Sequence, residues 1–214
     1  RDSHYAAAEI EAWGGEVIFA EDGPPNSGAP FLGDPEMIFS LEPPRIDECP
    51  SLLRILETIK LLKDESRDEI PVFGVVMSPF SVPVMQMGFE AYLNLLLGGY
   101  RTGIFEKLMA VNEDFCVRWS NAQLEAGATA IVYFDPLAST DMIPLDLYEK
   151  TGFEIAKRVM SRINGPTATH LASARTGKAF DLIARTGTAA IGFSGQDDLN
   201  ELKKMSTGRL ALIG

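Results

Sequence analysis

Four times along this chain a helix-like stretch passes through a glycine into a short apolar run. The copies are AWGGEVIF (Ala12–Phe19), EAGATAIVYF (Glu125–Phe134), ARTGTAAIGF (Ala184–Phe193) and MSTGRLALIG (Met205–Gly214). They share too little else to be a solenoid repeat, so they read as one supersecondary step, helix–glycine–strand, used several times. Glycine ends a helix because it takes the left-handed backbone without a Cβ clash. The β-branched and aromatic residues that follow suit a buried strand. With Pro71–Val76 and Thr167–Leu171 added, six strands alternate with helices: Glu16–Phe19, Pro71–Val76, Ala130–Phe134, Thr167–Leu171, Ala189–Phe193 and Arg209–Ile213. That order predicts an α/β protein with a parallel sheet and right-handed crossovers. A doubly wound sheet and a β/α barrel both satisfy it.

The helices are marked by their caps and apolar spacing. Asp2 or Ser3 caps a first helix to about Trp13, and Asp34–Pro35 reads as a helix start. Ser51 opens a helix with an apolar face of Leu52, Leu53, Ile55, Leu56, Ile59 and Leu62. Phe89–Leu97 is expected to be helical, and Thr102 to cap a long helix toward Ala126 that carries Phe105, Leu108, Val111, Phe115 and Trp119. Further helices are expected at Leu145–Ile163, Lys178–Arg185 and Asp198–Met205.

With 214 residues, 46% of them hydrophobic, the chain can bury one sizeable core. Its net charge of -11, with no Lys/Arg run, argues against nucleic acid and anionic membrane as partners. Ile70–Phe89 carries no charge, but Pro71, Gly74, Pro79 and Pro83 break it into strand, loop and helix start, not a membrane span. Cys49 and Cys116 have neither disulfide nor zinc spacing. With no signal-peptide pattern read after Arg1, a reduced, cytoplasmic setting is expected. No GxGxxG follows the first strand and no GxxxxGK[ST] occurs, which lowers the case for nucleotide binding.

In a parallel sheet all carboxyl ends share one face, where α/β proteins place their chemistry. The residues expected there are Glu21, Asp22, Ser78, Asp135, His170, Ser173, Ser194, Gln196 and Asp197. In Gly127–Pro144 (GATAIVYFDPLASTDMIP) the strand must stop at Asp135–Pro136, and a second carboxylate, Asp141, follows in the loop. Such a gathering suits general acid–base chemistry or a metal. Asp197 and Ser173 also read as helix caps, and Asp135 as a turn cap.

Four blocks, in this order and spacing, resemble the uroporphyrinogen decarboxylase superfamily, which includes the methylcobamide:thiol methyltransferases. They are VFGVVMSPFSVPVMQMGFEAYL (Val72–Leu93), AGATAIVYFDPLASTDMIPLDLY (Ala126–Tyr148), THLASARTGKAFDLIARTG (Thr169–Gly187) and DDLNELKKMSTGRLALIG (Asp197–Gly214). The resemblance implies a (β/α)8 barrel of the TIM type, with about six of its eight strands in this chain, as one domain over 1–214 that is incomplete at both ends. The DPLAS segment resembles the methyltransferase branch. There a His-x-Cys strand and a later Cys hold a zinc that binds the acceptor thiol as thiolate. His170 matches the His, while Ala172 stands at the Cys position and offers no donor atom. The zinc is then either held differently, with Glu21 as an oxygen ligand, or not held.

The implied reaction moves a methyl group from a methylated corrinoid to a thiol or similar small acceptor. The corrinoid would arrive on a carrier protein, since the chain lacks an Asp-x-His-x-x-Gly carrier pattern. In that reading His170 is a metal ligand or polar contact, Asp135 orients substrate or a group that itself contacts the reacting centre, and Glu21 or Asp22 serves in acid–base or ligand chemistry. Asp22, Ser78, Asp141 and Gln196 contact substrate. The alternative is a cofactor-free decarboxylase acting on a tetrapyrrole, with Glu21–Asp22 near the Asp that such enzymes aim at the pyrrole NH groups. A further alternative is a non-catalytic binding member that has lost its metal site.

Overall fold

The computed structural model describes residues 5–19, 21, 23, 25–67, 69–99 and 102–214. Helix α1 (Tyr5–Ala12) leads into an antiparallel ribbon of β1 (Val17–Ile18) and β2 (Asn26–Ser27), with Val17 opposite Ser27. After it come α2 (Pro50–Ser66), β3 (Phe73–Met77), α3 (Pro83–Met87), α4 (Phe89–Gly99) and α5 (Gly103–Glu125). The second half runs β4 (Ala130–Phe134), α6 (Leu145–Lys150), α7 (Gly152–Met160), β5 (Thr167–His170), α8 (Phe180–Ile183), β6 (Ala190–Gly192), α9 (Leu199–Ser206) and β7 (Ala211–Ile213). Strands β3 to β7 lie side by side in chain order, all parallel, each joined to the next by helix. This is the α/β arrangement of a partial barrel.

The helix–glycine–strand step is present as expected. Gly14, Gly127, Gly187 and Gly208, one in each copy, all have positive φ between helix end and strand. Thr102 Oγ1 accepts the Phe105 N–H at the start of α5, and Asp198 accepts the Asn200 and Glu201 N–H groups at the start of α9.

Four expectations are corrected. The parallel sheet has five strands among the described residues, not six. Glu16–Phe19 supplies β1, which turns back on β2 across residues 19–25. A parallel connection needs a dozen or more residues, so a link this short pairs antiparallel. The helix expected over Leu145–Ile163 breaks at Thr151, whose φ and ψ of -126° and -83° are not helical. The start at Asp34–Pro35 is real, since Asp34 accepts the Glu36 N–H at 2.9 Å, but it opens only a 3-10 segment, Pro35–Ser40. On α2 the expected apolar face is only partly used: Leu52 and Ile59 are buried, while Leu53 and Leu62 are exposed.

Along β4, Ile131 and Tyr133 face the helices, where they join a core with Leu108, Phe115 and Trp119 of α5 and Val159 of α7. Ala130, Val132 and Phe134 therefore face the other side, the inner face of the partial barrel. There Ile10 of α1, Met77 and Val82 form a second small cluster against which Phe134 packs.

The edge of β3 away from β4 is finished by side chains. Val75 N–H donates to Gln123 Oε1 and Val75 C=O accepts from Gln123 Nε2, both at 3.0 Å. Met77 N–H donates to Glu9 Oε1, also at 3.0 Å. Gly74 makes room for this, because a Cβ there would come within 2.6 Å of Gln123 Oε1.

Candidate functional site

The carboxyl ends of the parallel strands place His170 and Asp135 next to one another but on opposite sides of the sheet. Phe134 pairs with His170 across β4 and β5, and their rings stack at 5.6 Å with 22° between planes. Both project from the inner face. Asp135 is one residue further on, so its side chain turns the other way. The link between them is backbone: Asp135 N–H donates to His170 C=O at 2.8 Å.

His170 is half-buried, and burial lowers its pKa below the usual imidazole value. Its Nδ1 accepts the backbone N–H of Ala172 at 3.0 Å. Ala172 reaches that position with a φ of 58°, a left-handed backbone that residues with a Cβ adopt at a cost of about 1–2 kcal/mol. On the far side the ring lies over Gly192 of β6, where a Cβ would come within 2.8 Å of Cδ2. Phe134, Gly192 and the Ala172 N–H together fix the imidazole plane.

Asp135 is 1% exposed. Its Oδ1 accepts Ser78 Oγ at 2.7 Å and Ser81 Oγ at 2.6 Å, while Oδ2 is buried with no partner. Burial raises its pKa to about 6, against the pull of the Ser81 and Ser78 hydrogen bonds. Ser81 Oγ also accepts the Leu137 N–H at 3.2 Å. Asp135 is thus a knot tying the β3–α3 turn to the loop after β4.

The remaining loops are stitched by polar side chains. Arg175 binds Asp141 through Nε at 3.1 Å and Nη2 at 2.7 Å, and these hydrogen bonds hold the Asp141 carboxyl below its usual pKa. Ser139 Oγ donates to Arg175 C=O at 2.7 Å. Asp197 accepts the N–H groups of Ser194 and Thr176 at 3.0 and 3.1 Å. Ser194 Oγ donates to Ser173 C=O. The loop that carries Ala172 is therefore gripped by both neighbouring loops.

Several expected contributors stand elsewhere. Glu21 is exposed in the turn of the β1–β2 ribbon, outside the parallel sheet, because the strand before it does not join that sheet. Asp22 lies outside the described residues. Ser78 is fully buried and gives its hydroxyl to Asp135. Asp141 and Gln196 are exposed on the rim, Asp141 paired to Arg175. Asp197 does not cap a helix; it joins two loops. Missed from sequence were Phe134, Ser81 and Arg175. The Ser-x-x-Ser spacing of Ser78 and Ser81 was the available signal. A cavity of about 730 Å3 between α2 and β3, lined by Ile55, Ile59, Leu62, Phe73 and Val132, holds none of these groups.

The donor set of the described residues does not fit zinc. Ala172 has no donor atom, His170 Nδ1 faces an N–H, and among the described residues no three His, Cys, Asp or Glu side chains converge as ligands. Cys49 and Cys116 are free, and burial pushes the Cys116 thiol well up. Among the described residues no helix is long and apolar enough to cross a membrane.

Comparison with known proteins matches residues 5–214 to the family model described as Uroporphyrinogen decarboxylase (URO-D). A methylcobamide:CoM methyltransferase, MtbA of Methanosarcina mazei, is 29% identical over 159 residues, covering 73% of this chain and 44% of that protein. A uroporphyrinogen decarboxylase of Burkholderia pseudomallei is 24% identical over 163 residues, 72% of this chain and 44% of that protein. The chain thus spans about half the length of the curated relatives it matches. A solved methyltransferase from Methanosarcina mazei superposes with a TM-score of 0.78 at 19% identity, over 97% of this chain and 61% of that one. That likeness concerns the fold.

Proposed function

The chain belongs to the uroporphyrinogen decarboxylase family, and on that premise we propose that it serves a methyltransferase, moving a methyl group from a methylated corrinoid to a thiol or similar small acceptor. The observation that carries this reading is His170, an imidazole held in one plane on the inner face at the carboxyl end of β5, beside the aromatic wall of Phe134. A polar contact set against an apolar wall suits a small acceptor with one reacting atom. The names of the relatives with 29% identity support the same branch.

In this reading the acceptor lies against Phe134 and meets His170 Nε2. Asp135 does not touch it. Through Ser78 and Ser81 it holds the turn that shapes the mouth, and so acts as a positioning residue. The Asp141–Arg175 pair and Asp197 hold the loop whose Ala172 N–H orients His170. The methylated corrinoid is a substrate, brought by a carrier protein to the open side of the mouth.

The test uses the full-length protein with methylcobalamin and a small thiol, following loss of the methylcorrinoid absorbance. His170→Ala should lower kcat/KM at least tenfold, and unchanged turnover would remove His170 from the site. The Burkholderia relative supports a second reading, decarboxylation of a tetrapyrrole. Carbon dioxide released from uroporphyrinogen without thiol methylation would select it. Neither activity would leave a binding member of the family.

A further inference from the structure

Two atoms decide what the imidazole of His170 can do. Its Nδ1 stands 3.0 Å from the backbone nitrogen of Ala172, which carries a hydrogen and has no lone pair to offer. Nδ1 is therefore the unprotonated nitrogen, and in a neutral ring the proton sits on Nε2. That tautomer has no lone pair at Nε2 for a metal. A histidine that binds metal through Nε2 donates its Nδ1–H to an oxygen, and here Nδ1 meets a donor instead. The arrangement is braced from three directions: the left-handed backbone of Ala172, the stacked ring of Phe134 and the bare Cα of Gly192. Turning the ring over to free Nδ1 would aim a C–H at the Ala172 N–H.

We infer that His170 is a fixed Nε2–H donor to the methyl acceptor, and that the acceptor enters already ionised, as a thiolate, instead of being ionised on a zinc held by this histidine. This rests on the methyl-transfer reading above. The step balances without a proton. A sulfur lone pair forms the S–C bond while the donor's metal–carbon bond breaks, and both electrons of that bond stay with the corrinoid. The thiol proton has already gone to solvent. Negative charge leaves the sulfur as the bond forms, so the Nε2–H bond is strongest to the bound thiolate and weaker in the transition state. His170 then acts mainly on acceptor binding.

Two consequences separate this from zinc activation. A thiol bound to zinc is deprotonated outright, which makes its reaction nearly independent of pH around neutrality. A thiol that must ionise in solution, with a pKa of about 8.5, gives a kcat/KM that climbs about tenfold per pH unit below that value. Among thiols compared at pH 7, the more acidic ones should be favoured.

The first experiment needs no turnover. In the full-length protein labelled with 15N-histidine, the His170 signals, assigned with His170→Gln, should show an unprotonated Nδ1 and a protonated Nε2. Zinc titration by calorimetry should show no stoichiometric uptake that His170→Gln removes. A protonated Nδ1, or one zinc per chain lost in His170→Gln, overturns the inference. The second experiment measures thiol methylation by methylcobalamin between pH 6 and 8. A tenfold rise per unit, with His170→Ala raising KM without lowering kcat, supports it, and a flat profile overturns it. No methylation of any thiol, with the tautomer as expected, overturns the methyl-transfer reading and the thiolate half together, and leaves the Nε2–H donor standing.

Discussion

The side-chain amide of Gln123 stands where a neighbouring strand would stand for Val75. It accepts the Val75 N–H and donates to the Val75 C=O, both at 3.0 Å, from a helix 48 positions away in sequence. An edge strand left bare is a template for unwanted pairing, and here one residue of α5 satisfies it.

Gln123→Leu should cost about 2–3 kcal/mol in urea unfolding, because a part-buried donor and acceptor both lose their partner. Gly74→Ala should do comparable damage, since its Cβ would meet Gln123 Oε1 at 2.6 Å. The double variant should cost less than the sum, because both changes break the same contact. Additive costs would show that the amide does not depend on Gly74.

Glu9 is 2% exposed on α1, and burial raises its pKa to about 8, against the pull of the Met77 N–H. The folded value lies above the unfolded one, so Glu9 contributes its stability below about pH 4.5 and loses it as pH rises toward 8. The Cys116 thiol of α5 is pushed up by burial and by the nearby Glu9 charge. Glu9→Gln keeps an acceptor for Met77 N–H and cannot ionise. Thermal unfolding of the wild type should weaken from about pH 6.5 to about pH 8, above the Asp135 window, and that of Glu9→Gln should stay nearly level there.

Asp135 works in the same sense over a lower window. With its pKa raised from 3.8 to about 6, its contribution is complete below about pH 4 and is lost as pH rises through 6, a change of about 3 kcal/mol. Asp135→Asn still accepts from Ser78 and Ser81 and should remove that slope. Asp135→Ala leaves both hydroxyls unpaired and should be about 2–3 kcal/mol less stable than Asp135→Asn at every pH. Denaturant titrations at pH 4 and pH 7 distinguish the two.

Ala172→Gly should stabilise the protein by about 0.5–1 kcal/mol. It removes the left-handed penalty at φ 58° and gives back part of the gain through the freer unfolded chain. The N–H to His170 survives, so kcat/KM for the acceptor should not move. A loss of stability would mean that the Ala172 methyl makes packing contacts worth more than the strain.

The strands that join the parallel sheet were legible because each carries its own signal, a glycine of positive φ or a proline-bounded apolar run. So were the caps at Thr102 and Asp198. What the pattern could not say was whom a strand pairs with. Val17–Ile18 reads like the others, and only the short return through residues 19–25 sends it antiparallel. The site was legible as a set of residues and not as a geometry. Asp135 and His170 both sit at strand ends, yet an offset of one residue in register puts them on opposite faces. The bonds of Gln123 to Val75 and Glu9 to Met77 span 48 and 68 positions, beyond any local pattern.

The two borders of the sheet should keep different clocks. At β3 the outward amides of Val75 and Met77 are already held by side chains, so their protons can leave only when α1 or α5 lifts away. At β7 no strand, among the described residues, covers the side away from β6, and Ala211 and Ile213 are exposed. In deuterated water β7 should take up label early and β3 late, and any strand that enlarges this sheet has one border at which to start.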